Sequence, residues 1–176
     1  MILAEFKYKP GKVERGYNNR TLYVNLSSMQ IASKPVSKKM KETFTGGRGF
    51  NLWLLWNALP KDRVVRWDDP ENEICIASGP LGGIPVYPGS GKSIAVSISP
   101  LTNMVVDSNV GGYFGPYLKF AGWDALEVQG KPKSEVVIFI DGDECKVQVE
   151  TADELPSEAH LITALLAEKY GKENPR

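Results

Sequence analysis

Lys92 closes the run Gly89-Ser90-Gly91-Lys92-Ser93, a grouping of glycine, lysine and serine suited to holding a phosphate. A phosphate loop of the form G-x-x-x-x-G-K-[ST] needs its first glycine at position 86, which is Val86. It also needs a helix starting at the lysine, because helix amides and the helix dipole supply the field that binds the anion. Here Ile94, Val96 and Ile98 alternate with Ala95, Ser97 and Ser99 until Pro100, the two-residue period of a strand. Lys92 therefore reads as a residue entering a strand, without the helix field that a phosphate loop needs. A nucleotide site built on Gly89 to Ser93 is the competing reading.

Direct metal binding finds little support. Cys75 and Cys145 belong to no CxxC or Cys/His pattern, and His160 is the sole histidine. The chain cannot offer four soft ligands to zinc or to an iron–sulfur cluster. Cys75 lies in the apolar run "EICIASGP" and reads as a small buried hydrophobe; Cys145 reads as an inert residue on an alternating strand.

Bulk properties narrow the classes further. Lys plus Arg number 21 and Asp plus Glu number 21, so no net charge draws the chain to nucleic acid or to an anionic membrane. No apolar run reaches the roughly 20 residues of a membrane helix, and the N-terminus has no apolar stretch of signal-peptide length. The expectation is a soluble cytoplasmic protein. A chain of 176 residues fits one domain, or one large piece of one.

The elements that must position Lys92 follow from pattern. Residues 1–19 are polar and basic and read as a loosely held extension. "RTLYVNLSS" alternates as a strand, with "MQIASKPVS" as its returning partner, and "SKKMKETF" suits a short helix. Phe50 to Leu59 form a helix apolar on most sides, either buried or facing another domain, which Pro60 ends. Strands are expected at Ile74 to Ala77, Ile94 to Ser99, "NMVVDSN" and Ala125 to Val128, with a short helix around Tyr117 to Phe120. Val136 to Ile140 and Lys146 to Val149 make a hairpin turning at Asp141-Gly142. "SEAHLITALLAEKYG" reads as an amphipathic helix with Leu161, Leu165 and Leu166 on one face and Gly171 as its stop. The fold class is α+β and strand-dominated.

Nine of the 17 glycines fall between Gly79 and Gly122, in groups separated by strands. Strands use glycine least. The loops at the strand ends thus need either positive φ or close approach by another body. Each glycine serving only its own turn is the plainer alternative.

The strings "TGGRGFNLWLLWNALP", "PENEICIASGPLGG" and "SISPLTNMVVDSNVGGYFGPYLKFAGWDALEVQGK" resemble the N-terminal domain of the tungsten-dependent aldehyde ferredoxin oxidoreductases. The likeness runs from about Arg20 to the end, in the same order, and is most specific from Asn109 to Gly130. It implies two twisted β-sheets forming a saddle that supports a flat cofactor. That cofactor is one tungsten (or molybdenum) held by dithiolene sulfurs of two pterins, beside a [4Fe-4S] cluster. Such enzymes oxidise aldehydes to carboxylic acids and pass electrons to ferredoxin. The family places a basic residue, usually arginine, where Lys92 stands; lysine lacks the planar fork and acts as a point charge. Asn109 matches an asparagine whose backbone carbonyl helps hold a magnesium ion tying the pterin phosphates together, a fitting oxygen ligand. Gly111 and Gly112 would let the backbone approach the pterin. Arg48 of "GGRG" either contacts the cofactor or braces its loop. Tyr113, Phe114 and Trp123 are expected to pack rather than stack on pterin, and Trp53 and Trp56 to serve core or domain interface.

Family members are several times longer, and the cluster's cysteines and the acid/base residues lie in later domains. No catalytic residue is therefore expected in this chain, and residues 20–176 read as a domain incomplete at its C-terminal end. The expected partners are the remaining domains or a larger catalytic subunit, with ferredoxin for the complete enzyme; a homodimer is also open. A stand-alone pterin-binding or assembly module is the alternative to an oxidoreductase domain.

Overall fold

The computed structural model describes residues 1–153 and 155–171. Its strands in chain order are β1 (Ile2–Lys7), β2 (Arg20–Asn25), β3 (Gln30–Pro35), β4 (Glu73–Ala77), β5 (Ser93–Ile98), β6 (Val105–Val110), β7 (Ala125–Gln129), β8 (Val136–Asp141) and β9 (Lys146–Thr151). The helices are α1 (Lys38–Thr43), α2 (Arg48–Ala58), α3 (Phe114–Phe120) and α4 (Ala159–Tyr170). Two sheets result: six strands in the order β3-β2-β7-β4-β5-β6, and three in the order β1-β9-β8. The strand-dominated α+β class and its two sheets are as the sequence led one to expect.

Period-two burial decides which face of the large sheet meets what. On β2, Leu22 and Val24 turn toward the small sheet and join Leu126, Trp123, Val147 and Val149 in one core. The opposite face meets α2. Phe50 packs with Ala77 and Ala125, and Leu55 packs with Cys75 and Val96. α2 buries Phe50, Asn51 and Leu55 only, leaving Leu52 and Trp56 exposed on its outer side. The expected all-round apolar helix is thus half covered.

Three expectations need correction. Residues 1–19 are not loosely held: β1 pairs antiparallel with β9, from Ile2 opposite Glu150 to Lys7 opposite Lys146. The charges of Glu5 and Lys7 hide the alternation of Ala4 and Phe6, which pack on the core with Leu3 and Tyr8. The hairpin turn is longer than a two-residue turn at Asp141-Gly142, since Asp141 is still paired with Lys146. Asp141 Oδ1 accepts the amides of Asp143 and Glu144, and Cys145 sits in the turn with φ of 50° rather than on a strand. Finally, α4 buries none of its residues, and Leu161 and Leu165 are exposed. It is held at its last turn, where Lys169 and Tyr170 donate to Glu150 and Tyr170 stacks on Phe139. Gly171 ends it in an extended conformation, not a left-handed one.

Candidate functional site

Strand direction collects the glycines. Thr21 at the start of β2 lies opposite Ala125 at the start of β7, and Ala125 opposite Ala77 at the end of β4. Ala77 faces Ile94 near the start of β5, and Ser93 faces Val110 at the end of β6. The loops 78–92 and 111–124, with all nine glycines expected to matter, therefore leave one end of the six-stranded sheet. The pair Gly46-Gly47 joins them: Gly47 N donates to Ser78 O at 3.1 Å, and a Cβ on Gly46 would lie 3.1 Å from Gly79 Cα.

Some of these glycines have an internal reason to be glycine, and two do not. Gly112 has φ of 78°. Gly79 and Gly111 lie outside the left-handed region, and a Cβ on either would meet nothing within 4 Å. Neither turn geometry nor packing inside the chain asks for glycine there. A surface laid closely against those loops would.

The residues expected to bind a cofactor lie around this shelf. Lys92 stands directly before β5, exposed, and no salt bridge or hydrogen bond among the described residues engages its ammonium. A strand follows it, so the helix required by a nucleotide phosphate loop is missing. A Cβ on Gly91 would come within 3.0 Å of Gly112 O, which places the Lys92 loop against the Gly111-Gly112 loop. Asn109 is exposed on β6, the edge strand, opposite Ile94. Arg48 opens α2 and reaches Asp107 on β6, with Nη2 at 2.6 Å and Nε at 3.1 Å from Oδ2. It ties the helix to the edge strand. The pair is largely exposed, so Arg48→Ala should lower stability by less than about 1 kcal/mol in a thermal or urea melt. Trp123 is fully buried, as expected of a packing residue, whereas Tyr113 and Phe114 are exposed beside Gly112.

Tyr17 was not foreseen as part of this site. Its hydroxyl donates to Thr45 O at 2.7 Å, one residue before the Gly46-Gly47 pair. An isolated tyrosine in a polar lead carries no sequence signal of such a contact.

Away from the shelf lies a buried polar patch under the large sheet. Thr21 donates to Glu127 Oε1 and Lys34 Nζ to Glu127 Oε2 at 2.7 Å. Cys75 Sγ donates to Glu73 Oε1 at 3.0 Å, and Glu73 Oε2 is buried without a hydrogen-bond partner. Burial, with the charge of Glu127 added, pushes the Glu73 carboxyl up to about 7 against the pull of the Cys75 hydrogen bond and of Lys34. Burial likewise pushes the Cys75 thiol far up, so it stays protonated and inert. Among the described residues no group of three or more His, Cys, Asp or Glu side chains could hold a metal ion. No helix among the described residues is long and apolar enough to cross a membrane.

Comparison with known proteins gives this geometry a context. The family profile "Aldehyde ferredoxin oxidoreductase, N-terminal domain" matches residues 21–175. The tungsten-containing aldehyde ferredoxin oxidoreductase of Pyrococcus horikoshii is 36% identical over 133 residues, covering 76% of this chain and 21% of that protein. The WOR-like subunit of aliphatic sulfonate oxidoreductase from Pyrococcus furiosus is 37% identical over 137 residues, 75% of this chain and 21% of that one. A chain of the active-site complex BamBC of benzoyl coenzyme A reductase, solved with 1,5-dienoyl-CoA, superposes with a TM-score of 0.80 at 28% identity, over 88% of this chain and 23% of that chain. The chain thus spans about a fifth of the length of the curated relatives it matches. Over nearly all of that span, it belongs to the aldehyde ferredoxin oxidoreductase family, matching its N-terminal domain.

Proposed function

We propose that this chain is the cofactor-cradling part of a larger tungsten (or molybdenum) bis-pterin oxidoreductase, one that oxidises an aldehyde to a carboxylic acid with ferredoxin as acceptor. The carrying observation is the shelf: Gly79 and Gly111 are glycines that nothing among the described residues requires, beside a lysine whose ammonium has no partner among them. A flat, anionic body fits both features. The Gly111-Gly112 backbone would lie against the pterin, Lys92 would meet its charged oxygens as a point charge, and Arg48 would hold the α2 end of the shelf from Asp107. Asn109 lies on an edge strand, where alternate carbonyls point away from the sheet, and its carbonyl would serve a magnesium ion between the pterin phosphates. When bound, the metal–pterin group supplies the two-electron redox centre; the chain's own residues bind and orient it. Acid/base residues, the [4Fe-4S] ligands and the ferredoxin contact belong to the remaining domains or to a larger subunit, in the cytoplasm.

The test is metal content rather than turnover. In the assembled protein, Lys92→Ala should lower tungsten and pterin retention on dialysis about tenfold, the scale of one lost charge-assisted hydrogen bond, and Lys92→Arg should restore it. Elemental analysis reads the metal, and a melt confirms folding. Undiminished tungsten in the alanine variant would remove Lys92 from the site. A wild-type protein with neither tungsten nor molybdenum would overturn the function.

A further inference from the structure

The lead into β2 does more than add an edge strand. Glu14 and Tyr17 exchange backbone hydrogen bonds around Arg15 (φ 53°) and Gly16 (φ 82°), a tight turn with both central residues left-handed. That turn lies against the glycine loops. A Cβ on Gly16 would stand 2.3 Å from Pro80 O, so the strap touches the 78–92 loop at Pro80 and only glycine fits. One residue on, Tyr17 donates its hydroxyl to Thr45 O and stacks on Phe50 of α2, with ring centroids 6.0 Å apart. Asn18 and Asn19 give their amides to the two carboxylate oxygens of Asp124, at 2.9 and 2.7 Å. Lys119 of α3 completes the clamp, donating to Asp124 Oδ1 at 2.7 Å and to Gly16 O at 2.6 Å. Arg20 then donates to Gly122 O and packs its guanidinium over Trp123.

Five successive residues therefore reach all three segments that make the shelf: Thr45 before Gly46-Gly47, Pro80 in the 78–92 loop, and the α3–β7 corner that follows Gly111-Gly112. These loops come from distant parts of the chain and touch one another mainly through glycine backbone, as at Gly47 N–Ser78 O and where Gly91 lies against Gly112. We infer that residues 16–20 are a strap that sets the spacing of the cofactor shelf, with Tyr17 as its positioning residue. The inference rests on the reading of the shelf given above. Tyr17 acts through the carbonyl of Thr45 and so through the Gly46-Gly47 pair.

The variant that tests this is Tyr17→Phe, which keeps the ring stack and removes the hydroxyl. Val149→Ala, in the core between the sheets, serves as the comparison for general loosening. Hydrogen exchange of the assembled protein should show the hydrogen-bonded shelf amides of Gly47, Gly49 and Gly82 exchanging about fivefold faster in Tyr17→Phe, the scale of one lost hydrogen bond, with β4 and β7 amides at their wild-type rates. Val149→Ala should instead speed the strand amides and spare this contrast. Tungsten release on dialysis should quicken about threefold in Tyr17→Phe. Shelf amides at wild-type rates, or changed only in step with the strands as in Val149→Ala, would overturn the strap. Loosened shelf amides with unaltered tungsten release would overturn its role toward the cofactor. A wild-type protein without tungsten or molybdenum would count against the function proposed above, while the exchange contrast would still decide whether the strap spaces the loops.

Discussion

Lys119→Met lowers the stability of this chain by about 3–5 kcal/mol, the loss expected when one partner of a buried ion pair is removed. Lys119 and Asp124 are 8% and 2% exposed, and their contact is 2.7 Å. The methionine side chain nearly preserves volume, so the loss is electrostatic. Asp124 would keep the amides of Asn18 and Asn19 but carry an uncompensated charge in a site that water cannot reach. The Gly16 carbonyl would lose its donor as well. The double variant Lys119→Met/Asp124→Asn should recover part of the loss, because the buried charge goes with its partner. Urea unfolding of the three proteins decides the matter. A single variant within about 1 kcal/mol of wild type would mean that the pair is solvated and that the clamp is an ordinary surface contact.

The second large effect depends on pH. Glu73 is fully buried, its carboxyl is pushed up to about 7, and its ordinary value is 4.5. Between those two values the folded chain keeps a proton that the unfolded chain has released. Stability therefore falls as pH rises from about 4.5 to about 7, and the dependence flattens once the folded carboxyl ionises as well. A displacement of that size corresponds to about 3 kcal/mol, lost in full above the upper value. Glu73→Gln keeps the shape and carries no charge at any pH. It should match wild type near pH 4.5 and exceed it by about 2–3 kcal/mol at pH 8. Denaturation midpoints from pH 4.5 to 8 measure the difference. A constant gap across that range would show that Glu73 does not hold its proton in the fold.

The elements visible from the sequence were those whose apolar period is unmixed. β2, β4, β5 and the β8–β9 hairpin announce themselves by alternation, and α2 by its aromatic and leucine run. β1 escaped because Glu5 and Lys7 fill its outward positions and make an edge strand look like a charged tail. The glycines were legible as loops with a common purpose, but their gathering at one sheet end depends on β2 pairing parallel with β7 and β4 pairing antiparallel with the same strand. No local pattern encodes those two directions. Lys92 could be singled out by type and neighbours. The Glu73–Cys75–Glu127 patch could not, because "EICIA" reads as an ordinary apolar strand and the second carboxylate arrives from a strand some fifty residues later. Tyr17 was invisible for the same reason: its partner, Thr45, is fixed by the tertiary fold alone.

β1 also sets a timetable for the newborn chain. Ile2 pairs with Glu150 and Lys7 with Lys146, so β1 has no mate until the hairpin strand far along the sequence has also been made. At roughly 5–20 residues per second, that wait lasts on the order of ten to thirty seconds. Throughout it, Leu3, Phe6 and Tyr8 are uncovered on a segment already shaped for pairing, open to capture by chaperones or by a neighbouring nascent chain. Slow, late closure of the small sheet, and a heightened need for folding assistance at high expression, follow from pairing strands so distant in sequence in one three-stranded ribbon.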